Sequence, residues 1–507
     1  MRWPWAALGW VALVPWLAAL DATRSLRATV GVALLMATAF ELAVFGWFAN
    51  ALQAYTALPR VAGLGLLALA APLLQPQLPA FALARWWARR RGLGAVRRAV
   101  AGACVWVGVE WLCPKLFGDT LGYGLWPSVW MRQGADLVGV SGLTLLLLLG
   151  NECALAALRG LVARDARAAV RPAAALAALL GALLGYGAVR DRQVATATAA
   201  AEPIRVGIVQ ANIVQYGRMA LEQGTFGAVD TILAAHMRLS EKLLRRQPPD
   251  LLLWGETVYP TTFGTPRSAE GAAFDRAIAG FVLGTGVPLV FGAYDVEGTA
   301  EFNAAVVLEP PRGGSLEFET YRKAALFPLT ERVPAWLDRP WVRRRLPWLG
   351  TWTPGRGGDM IVVTLPNGRP LRVAPLICYD VLAPAHVRTA VRAGAELIVT
   401  LSNDAWFGTG PAAWRHLVAA AFRSVETRRP QVRATNTGIS AVIDAAGSIT
   451  AATDVGRRAV LAARVTPEEW LVAPAVQWGG GFGPAALALG VALLAVPTRR
   501  RAPGAAR

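Results

Sequence analysis

The chain reads as a polytopic α-helical membrane bundle plus an extracytoplasmic α/β domain, and three observations lead there. Its 507 residues are 55% hydrophobic and 17% charged, with a mean hydropathy of +0.40, too apolar for an ordinary soluble domain. Long apolar segments gather at both ends, separated by connections that are alternately rich and poor in arginine. Between them, Glu202 to Gln477 is polar and alternates strand-like with helix-like stretches.

The apolar segments run from Trp3 to Leu20, Thr29 to Leu52, Val61 to Leu83, Ala99 to Cys113, Leu137 to Leu158, Ala173 to Val189 and Phe482 to Val496. Most reach the roughly 17–25 residues that cross a bilayer; the fourth is short. Basic connections hold Arg24 and Arg27, then Arg85 to Arg98, then Arg159 to Arg171, and finally Arg499 to Arg501. By the positive-inside rule these face the cytoplasm, which puts the N-terminus and everything from Arg190 to Gln477 outside. The first segment has one arginine before it and no A-x-A site after it, so it reads as a retained helix rather than a signal peptide. The expected division is 1–190 for about six spans, 191–203 a linker, 204–475 the α/β domain, 476–498 a last span and 499–507 a basic tail. Glu41, Glu110 and Glu152 fall within the apolar segments, where a carboxylate needs a partner or a helix end. A net charge of +18 raises nucleic acid as a partner, but no basic stripe interleaved with stacking aromatics is present.

Within 204–475 the expected strands are Ile204–Gln210, Asp250–Trp254, Pro288–Tyr294, Asn303–Leu308, Met360–Thr364, Leu371–Ile377, Leu397–Leu401, Val432–Thr435 and Ser440–Asp444. Helices fit Val229–Leu244, Ala269–Leu283 and Trp414–Thr427, where apolar residues recur at 3–4 spacing. Such alternation gives a layered α/β domain whose reactive residues sit on loops at strand ends.

Three residues stand out on that ground. Cys378 is the only cysteine in the polar portion; it cannot close an internal disulfide and follows an apolar strand, a rigid base for a nucleophile. Most free cysteines are simply small buried hydrophobes. Glu256 lies just beyond another buried run. Lys323 is one of three lysines, with Lys115 and Lys242, among 51 basic residues, which points to a need for a compact ammonium. Together they make sense as a carboxylate base, an oxyanion-stabilising cation and a thiol that forms a thioester. No HExxH, CxxC, Walker loop or dinucleotide fingerprint occurs, so neither a metal nor another cofactor is expected.

The order Glu256, Lys323, Cys378 resembles the triad of the nitrilase superfamily. Flanking motifs narrow the resemblance to apolipoprotein N-acyltransferases: Tyr321-x-Lys323-x-x-Leu326-x-Pro328 with Glu331, Ile377-Cys378-Tyr379, Ser402-Asn403-Asp404-Ala405-Trp406-Phe407-Gly408, and Arg433-Ala-Thr435-Asn436-Thr437-Gly438. The resemblance implies a nitrilase-like αββα sandwich on the periplasmic side of a bacterial inner membrane. It implies a phospholipid acyl donor, a diacylglyceryl-prolipoprotein acceptor and a monomeric enzyme without cofactors. By position, Glu256 would be the general base, Lys323 the oxyanion residue and Cys378 the nucleophile. Glu331 would support the lysine, and Tyr379, Trp254, Asn403 and Trp406 would line the site. The chain departs from the family pattern at Gly255 (usually Pro), Leu329-Thr330 (Phe-Gly), Asp380 (Glu) and Met219 (Trp), and its N-terminus reads one helix short. A membrane-anchored amidohydrolase, with water resolving the thioester, is the alternative, as is a paralogue with another acceptor. The stretch Pro334 to Trp348, mixing tryptophans with Arg343, Arg344 and Arg345, suits a membrane interface.

Overall fold

The computed structural model describes residues 5–496 except positions 57, 114, 215, 312–316, 347 and 409; the expected basic tail 499–507 lies outside the described residues. The chain divides into two compact units, 1–190 with 478–507, and 191–477.

The first unit is helical. Among its described residues, Leu26–Phe45, Val140–Val162, Ala166–Ala200 and Pro474–Ala495 are long and apolar enough to cross a membrane, the last two running into the other unit. Several expected segments differ from single straight helices. Val61–Leu83 is broken into Arg60–Leu74 and Gln77–Arg90, bent by 48°, where Pro76 withholds an N–H from the helix ladder. Thr29–Leu52 splits around Gly46 and Trp47, and the first segment opens as a 3-10 turn, Trp5–Trp10, before the helix Val14–Ala22. The expected linker 191–203 is mostly helix, since Ala166–Ala200 runs unbroken for 35 residues. Its Ala/Thr composition carries no helix-breaking residue before Pro203.

Each carboxylate within the apolar segments has a partner. Gln75 Nε2 donates to Glu41 at 2.9 Å, and Lys115 bonds Glu110 at 2.9 Å. Arg85, 2% exposed, grips Asp21 through Nε and Nη2, both at 2.8 Å, and also pairs with Glu152. These contacts tie the helix Gln77–Arg90 to Val14–Ala22 and Val140–Val162.

The second unit is a four-layer sandwich. One sheet has the order β12-β1-β2-β3-β4-β5 and the other β11-β10-β9-β8-β7-β6. The strands are β1 Ile204–Gln210, β2 Leu251–Trp254, β3 Leu289–Glu297, β4 Ala300–Glu309, β5 Glu317–Arg322, β6 Ile361–Thr364, β7 Pro370–Ile377, β8 Leu397–Ser402, β9 Gln431–Thr435, β10 Ala441–Ile443, β11 Ile449–Ala452 and β12 Ala459–Val465. Each sheet has three parallel strands at its centre, β1-β2-β3 and β7-β8-β9, with antiparallel strands outside. Buried on both faces, the parallel strands read as continuous apolar runs.

Alternation within the strands separates two cores. Val206, Ile208, Leu251, Leu253 and Val290 meet Val373, Ile377, Val399 and Leu401 between the sheets. Val209, Leu252, Trp254, Leu289 and Phe291 turn the other way, onto Val229, Ile232, Leu233, Ile278 and Val282 of helices Tyr216–Leu244 and Ala269–Thr285. Pro384–Arg392 and Pro411–Thr427 pack together on the second sheet's side. Three strands, β5, β11 and β12, and the helix Pro384–Arg392 lie outside the expected set. The strands are edges with half-exposed residues, so no apolar run marks them.

Arg85 is the strongest single test of the helical unit. Arg85→Ala leaves Asp21 and Glu152 without their shared cation, a loss of about 3–5 kcal/mol by the usual cost of breaking a buried pair. A lowered thermal midpoint in detergent checks it; an unchanged midpoint would show the cluster contributes nothing.

Candidate active site

Strand ends in the sandwich bring the chemistry together. Glu256 leaves the C-terminal end of β2 one residue after Gly255, Cys378 follows β7, Asn403 follows β8 and Lys323 follows β5. Loops beyond the carboxyl ends of parallel strands are where open α/β sheets place ligands. Two glycines let the Glu256 turn pack this closely. A Cβ at Gly292 would stand 2.3 Å from the Thr257 nitrogen and 2.7 Å from the Glu256 Cα; one at Gly255 would stand 3.0 Å from the Asn436 nitrogen.

Lys323 is the hub. It is 1% exposed, and its Nζ donates to Glu331 Oε1 at 2.7 Å and Glu256 Oε1 at 3.1 Å. Burial works against the ammonium, but the charges of Glu256 and Glu331 outweigh it and hold the lysine well above its usual range. Both carboxylates are themselves fixed. Glu256 Oε2 accepts the Asn403 backbone N–H at 2.8 Å, and Glu331 Oε2 accepts that of Phe327 at 2.6 Å. Asn303 on β4 donates its Nδ2 to Glu256 Oε1 at 2.8 Å, and its carbonyl accepts the Lys323 N–H.

Cys378 is buried and has φ +48°, a left-handed conformation that costs a residue with a Cβ about 1–3 kcal/mol. That bend carries the chain from β7 into the 3-10 turn Cys378–Leu382. Burial, then the charge of Glu256, pushes the thiol up; Lys323 pulls it down without compensating. At neutral pH the group rests as a thiol and needs a base.

Asp380, the residue that stands for a family glutamate, is buried and binds four groups. It accepts N–H bonds from Ile377 at 2.9 Å, Ala325 at 2.6 Å and Ala324 at 3.2 Å, and the Tyr321 hydroxyl at 2.9 Å. The shorter side chain thus stitches the nucleophile turn to the lysine loop. Tyr379 and Trp406 both pack edge-on to Phe327, with centroids 5.2 and 4.8 Å away, forming an aromatic wall of half-buried rings. Asn403 accepts a bond from Asn436 Nδ2 at 3.2 Å. Trp254 departs from the expected set. Its ring is fully buried in the sheet–helix core, donates to Ser240 Oγ at 2.9 Å and packs on Phe281 and Phe291. Being two residues before Glu256 does not bring it to the site: Trp254 is the last residue of β2 and faces the helices with Leu252, and the chain has left the strand before it reaches Glu256.

This geometry can be set beside known proteins. Residues 205–474 match the carbon-nitrogen hydrolase family, and residues 1–153 match the apolipoprotein N-acyltransferase N-terminal domain. A curated relative from Azotobacter vinelandii, named apolipoprotein N-acyltransferase, is 31% identical over 452 residues, covering 85% of this chain and 79% of the relative. The chain belongs to the apolipoprotein N-acyltransferase family. A relative of the same name from Geobacter metallireducens is 29% identical over 468 residues, covering 90% of this chain and 84% of its own. Among solved structures, an amidase from Nesterenkonia sp. is 20% identical, with a TM-score of 0.35, over 52% of this chain and 91% of its own.

Four further residues in the network around Glu256, Lys323 and Cys378 were not marked by sequence reasoning: Asn303, Asp404, His416 and Arg433. Asp404 and Arg433 lie inside recognised motifs, yet only the fold reveals that they are ion-paired, 3.0 Å apart. His416 is one of three histidines, a scarcity that could have drawn attention to it.

The thiol's upward shift has a measurable sign. Less thiolate is present at a given pH, so peptide-resolved alkylation of Cys378 should keep accelerating through pH 10. A free thiol levels off above its value of about 8.5. A plateau at or below pH 8 would contradict the balance of charges described here.

Proposed function

We propose that this protein moves an acyl chain from a membrane phospholipid to the α-amine of the diacylglyceryl-cysteine that begins an apolipoprotein, by way of a thioester on Cys378. The observation that carries the reading is the buried Lys323 bonded to both Glu256 and Glu331, together with a buried Cys378 in a strained bend. Family membership supplies the substrate classes, since the relatives bear the name apolipoprotein N-acyltransferase.

In the first half-reaction, Glu256 takes the Sγ proton as the sulfur attacks the ester carbonyl of the lipid. The carbonyl oxygen gains negative charge, and the Lys323 ammonium lies among the groups that can neutralise it. Collapse of the tetrahedral intermediate breaks the C–O bond; the lysophospholipid alkoxide leaves with the proton held by Glu256. In the second half the acceptor amine attacks the thioester, Glu256 removes its proton, and the C–S bond breaks to return the thiol. Glu331 keeps Lys323 oriented while Glu256 cycles between charged and neutral forms. The aromatic wall of Tyr379, Trp406 and Phe327 provides an apolar surface for an acyl chain near the sulfur.

The helical unit would be embedded in a bacterial inner membrane with the sandwich on the periplasmic side, as the arginine pattern of the connections supports. The loop from Val333 to Leu349 adds a contact with lipid. Val342 and Leu349 pack with Val333 in a small core of its own, while Trp336 and Trp341 are 74% and 57% exposed beside Arg343, Arg344 and Arg345. Its base is anchored where Trp352 N–H donates to the Glu331 carbonyl at 3.0 Å, which links this loop to a residue holding the lysine.

Incubation with a phospholipid labelled in its acyl chain should leave a labelled thioester on Cys378, released by hydroxylamine and missing in Cys378→Ser. Adding a diacylated lipopeptide should convert it to a triacylated peptide seen by mass spectrometry. Free fatty acid as the sole product would show an amidohydrolase-like enzyme instead, and an unlabelled wild-type protein would overturn both readings.

A further inference from the structure

We propose that His416, backed by Asp404 and Arg433, is a positioning residue that locks the Cys378 backbone in its reactive bend. The inference rests on Cys378 being the nucleophile. His416 lies on the helix Pro411–Thr427 and is 6% exposed. Its Nε2 is 3.2 Å from the Cys378 carbonyl oxygen. Its Nδ1 is 3.1 Å from Asp404 Oδ1 and 2.9 Å from Arg433 Nη2. Arg433 also donates to Asp404 Oδ2 at 3.0 Å, and Ser402 Oγ donates to Asp404 Oδ1 at 2.7 Å. Asp404 is buried, yet Arg433 and His416 outweigh that burial and hold its carboxyl well below the usual range.

The protons on this ring are dictated by its neighbours. A backbone carbonyl only accepts, so the nitrogen facing Cys378 must carry a hydrogen. A neutral ring then leaves Nδ1 as an acceptor for Arg433; a charged ring gives Nδ1–H to Asp404. In either state Nε2–H donates to Cys378, so the hold persists whichever form the ring takes.

What the bond does follows from where it acts. Cys378 sits at φ +48°, and the backbone is held before and after it, at the 376–377 peptide and at the 378–379 peptide. Asp380 accepts the Ile377 N–H, and His416 donates to the Cys378 carbonyl. Strain of this kind survives only where the surroundings over-determine the backbone, and a hydrogen bond to a buried carbonyl is comparable in size to the strain it opposes. Loss of the His416 bond would free the 378–379 peptide to turn, and Sγ with it.

The same three groups raise a second reading. Cys378 Sγ, a carboxylate oxygen of Asp404 and a ring nitrogen of His416 lie within 4.8 Å of one another, a spacing a thiophilic cation accepts. Arg433 decides between them. Its guanidinium already donates to both Asp404 and His416, placing a fixed positive charge where a metal would bind and occupying the same lone pairs.

The test compares two side chains on the full-length protein in detergent. Gln can place an amide N–H near the position of Nε2; Asn reaches only about as far as Nδ1. Single-turnover thioester formation on Cys378 is followed against phospholipid concentration. His416→Asn should slow maximal acylation by about 10–100-fold, the range lost with one well-placed bond, while the half-saturating lipid concentration stays within about twofold. His416→Gln should recover to within about fivefold of wild type. Should His416→Asn fail to fold, His416→Gln decides alone: a folded variant with acylation at background overturns the proposal. So do equal losses in both variants, or an effect on half-saturation alone. A wild-type protein that forms no thioester would instead remove the reading of Cys378 on which this rests.

Discussion

The site is organised around one buried ammonium. Lys323 has a single positive charge and two carboxylates against it, Glu256 and Glu331. A buried ion stripped of its partner costs about 3–5 kcal/mol, so the lysine cannot move without stranding both acids. Everything nearby is arranged to hold those three groups still. Asn303 and the Asn403 amide fix Glu256, the Phe327 amide fixes Glu331, and the Asn303 carbonyl fixes the lysine backbone. Each of these comes from a different strand or strand end, which is why a two-sheet fold is needed. Parallel strands β2, β7 and β8 deliver Glu256, Cys378 and the Asn403 amide to one end, while antiparallel β4 and β5 carry Asn303 and Lys323 to meet them.

Much of this was legible from the chain because rigid strands announce themselves as apolar runs. Asp250–Trp254, Leu371–Ile377 and Leu397–Leu401 were expected almost to the residue, and the ends of the first two pointed to Glu256 and Cys378. Edge strands escaped notice: β5, Glu317-Phe-Glu-Thr-Tyr-Arg322, is mostly exposed and carries no apolar signature, although it delivers Lys323. The lysine was found instead by its rarity. Trp254 was placed at the site by the family resemblance, and strand alternation sent it into the helix-facing core with Leu252. Spans were legible as apolar lengths, but their breaks were not. A bend at Pro76 depends on which neighbours can satisfy freed backbone groups, and hydropathy does not record that.

The polar scaffold behind the triad was the least legible layer. Asp380, Asp404, His416 and Arg433 have no periodicity and no fixed spacing; they are brought together by crossovers between β7, β8, β9 and the helix Pro411–Thr427. Asp380 illustrates the difference between a motif and its physics. A shorter carboxylate in place of the family's glutamate reads as a loss. In the structure it accepts bonds from Ile377, Ala324, Ala325 and Tyr321, so the shorter reach is matched by backbone that comes to it.

Charge bookkeeping also shapes how the sulfur can react. Around Cys378 stand two carboxylates, Glu256 and Glu331, and one ammonium, Lys323, and behind it Asp404 is balanced by Arg433. A thiolate formed in advance would add a second uncompensated negative charge in a buried pocket, which is why burial and Glu256 push the thiol up more than Lys323 pulls it down. In the reaction we propose, transfer of the proton to Glu256 avoids this, because the base loses its charge as the sulfur gains one and the local total is unchanged. When the sulfur attacks, that negative charge passes on to the carbonyl oxygen, and Lys323 has just been released from half of its ion pairing by the protonation of Glu256. The ammonium is then free to serve the oxyanion while Glu331 still holds it in place. A second carboxylate on the lysine therefore has a mechanistic purpose: it keeps the cation fixed through the step in which its first partner is neutral.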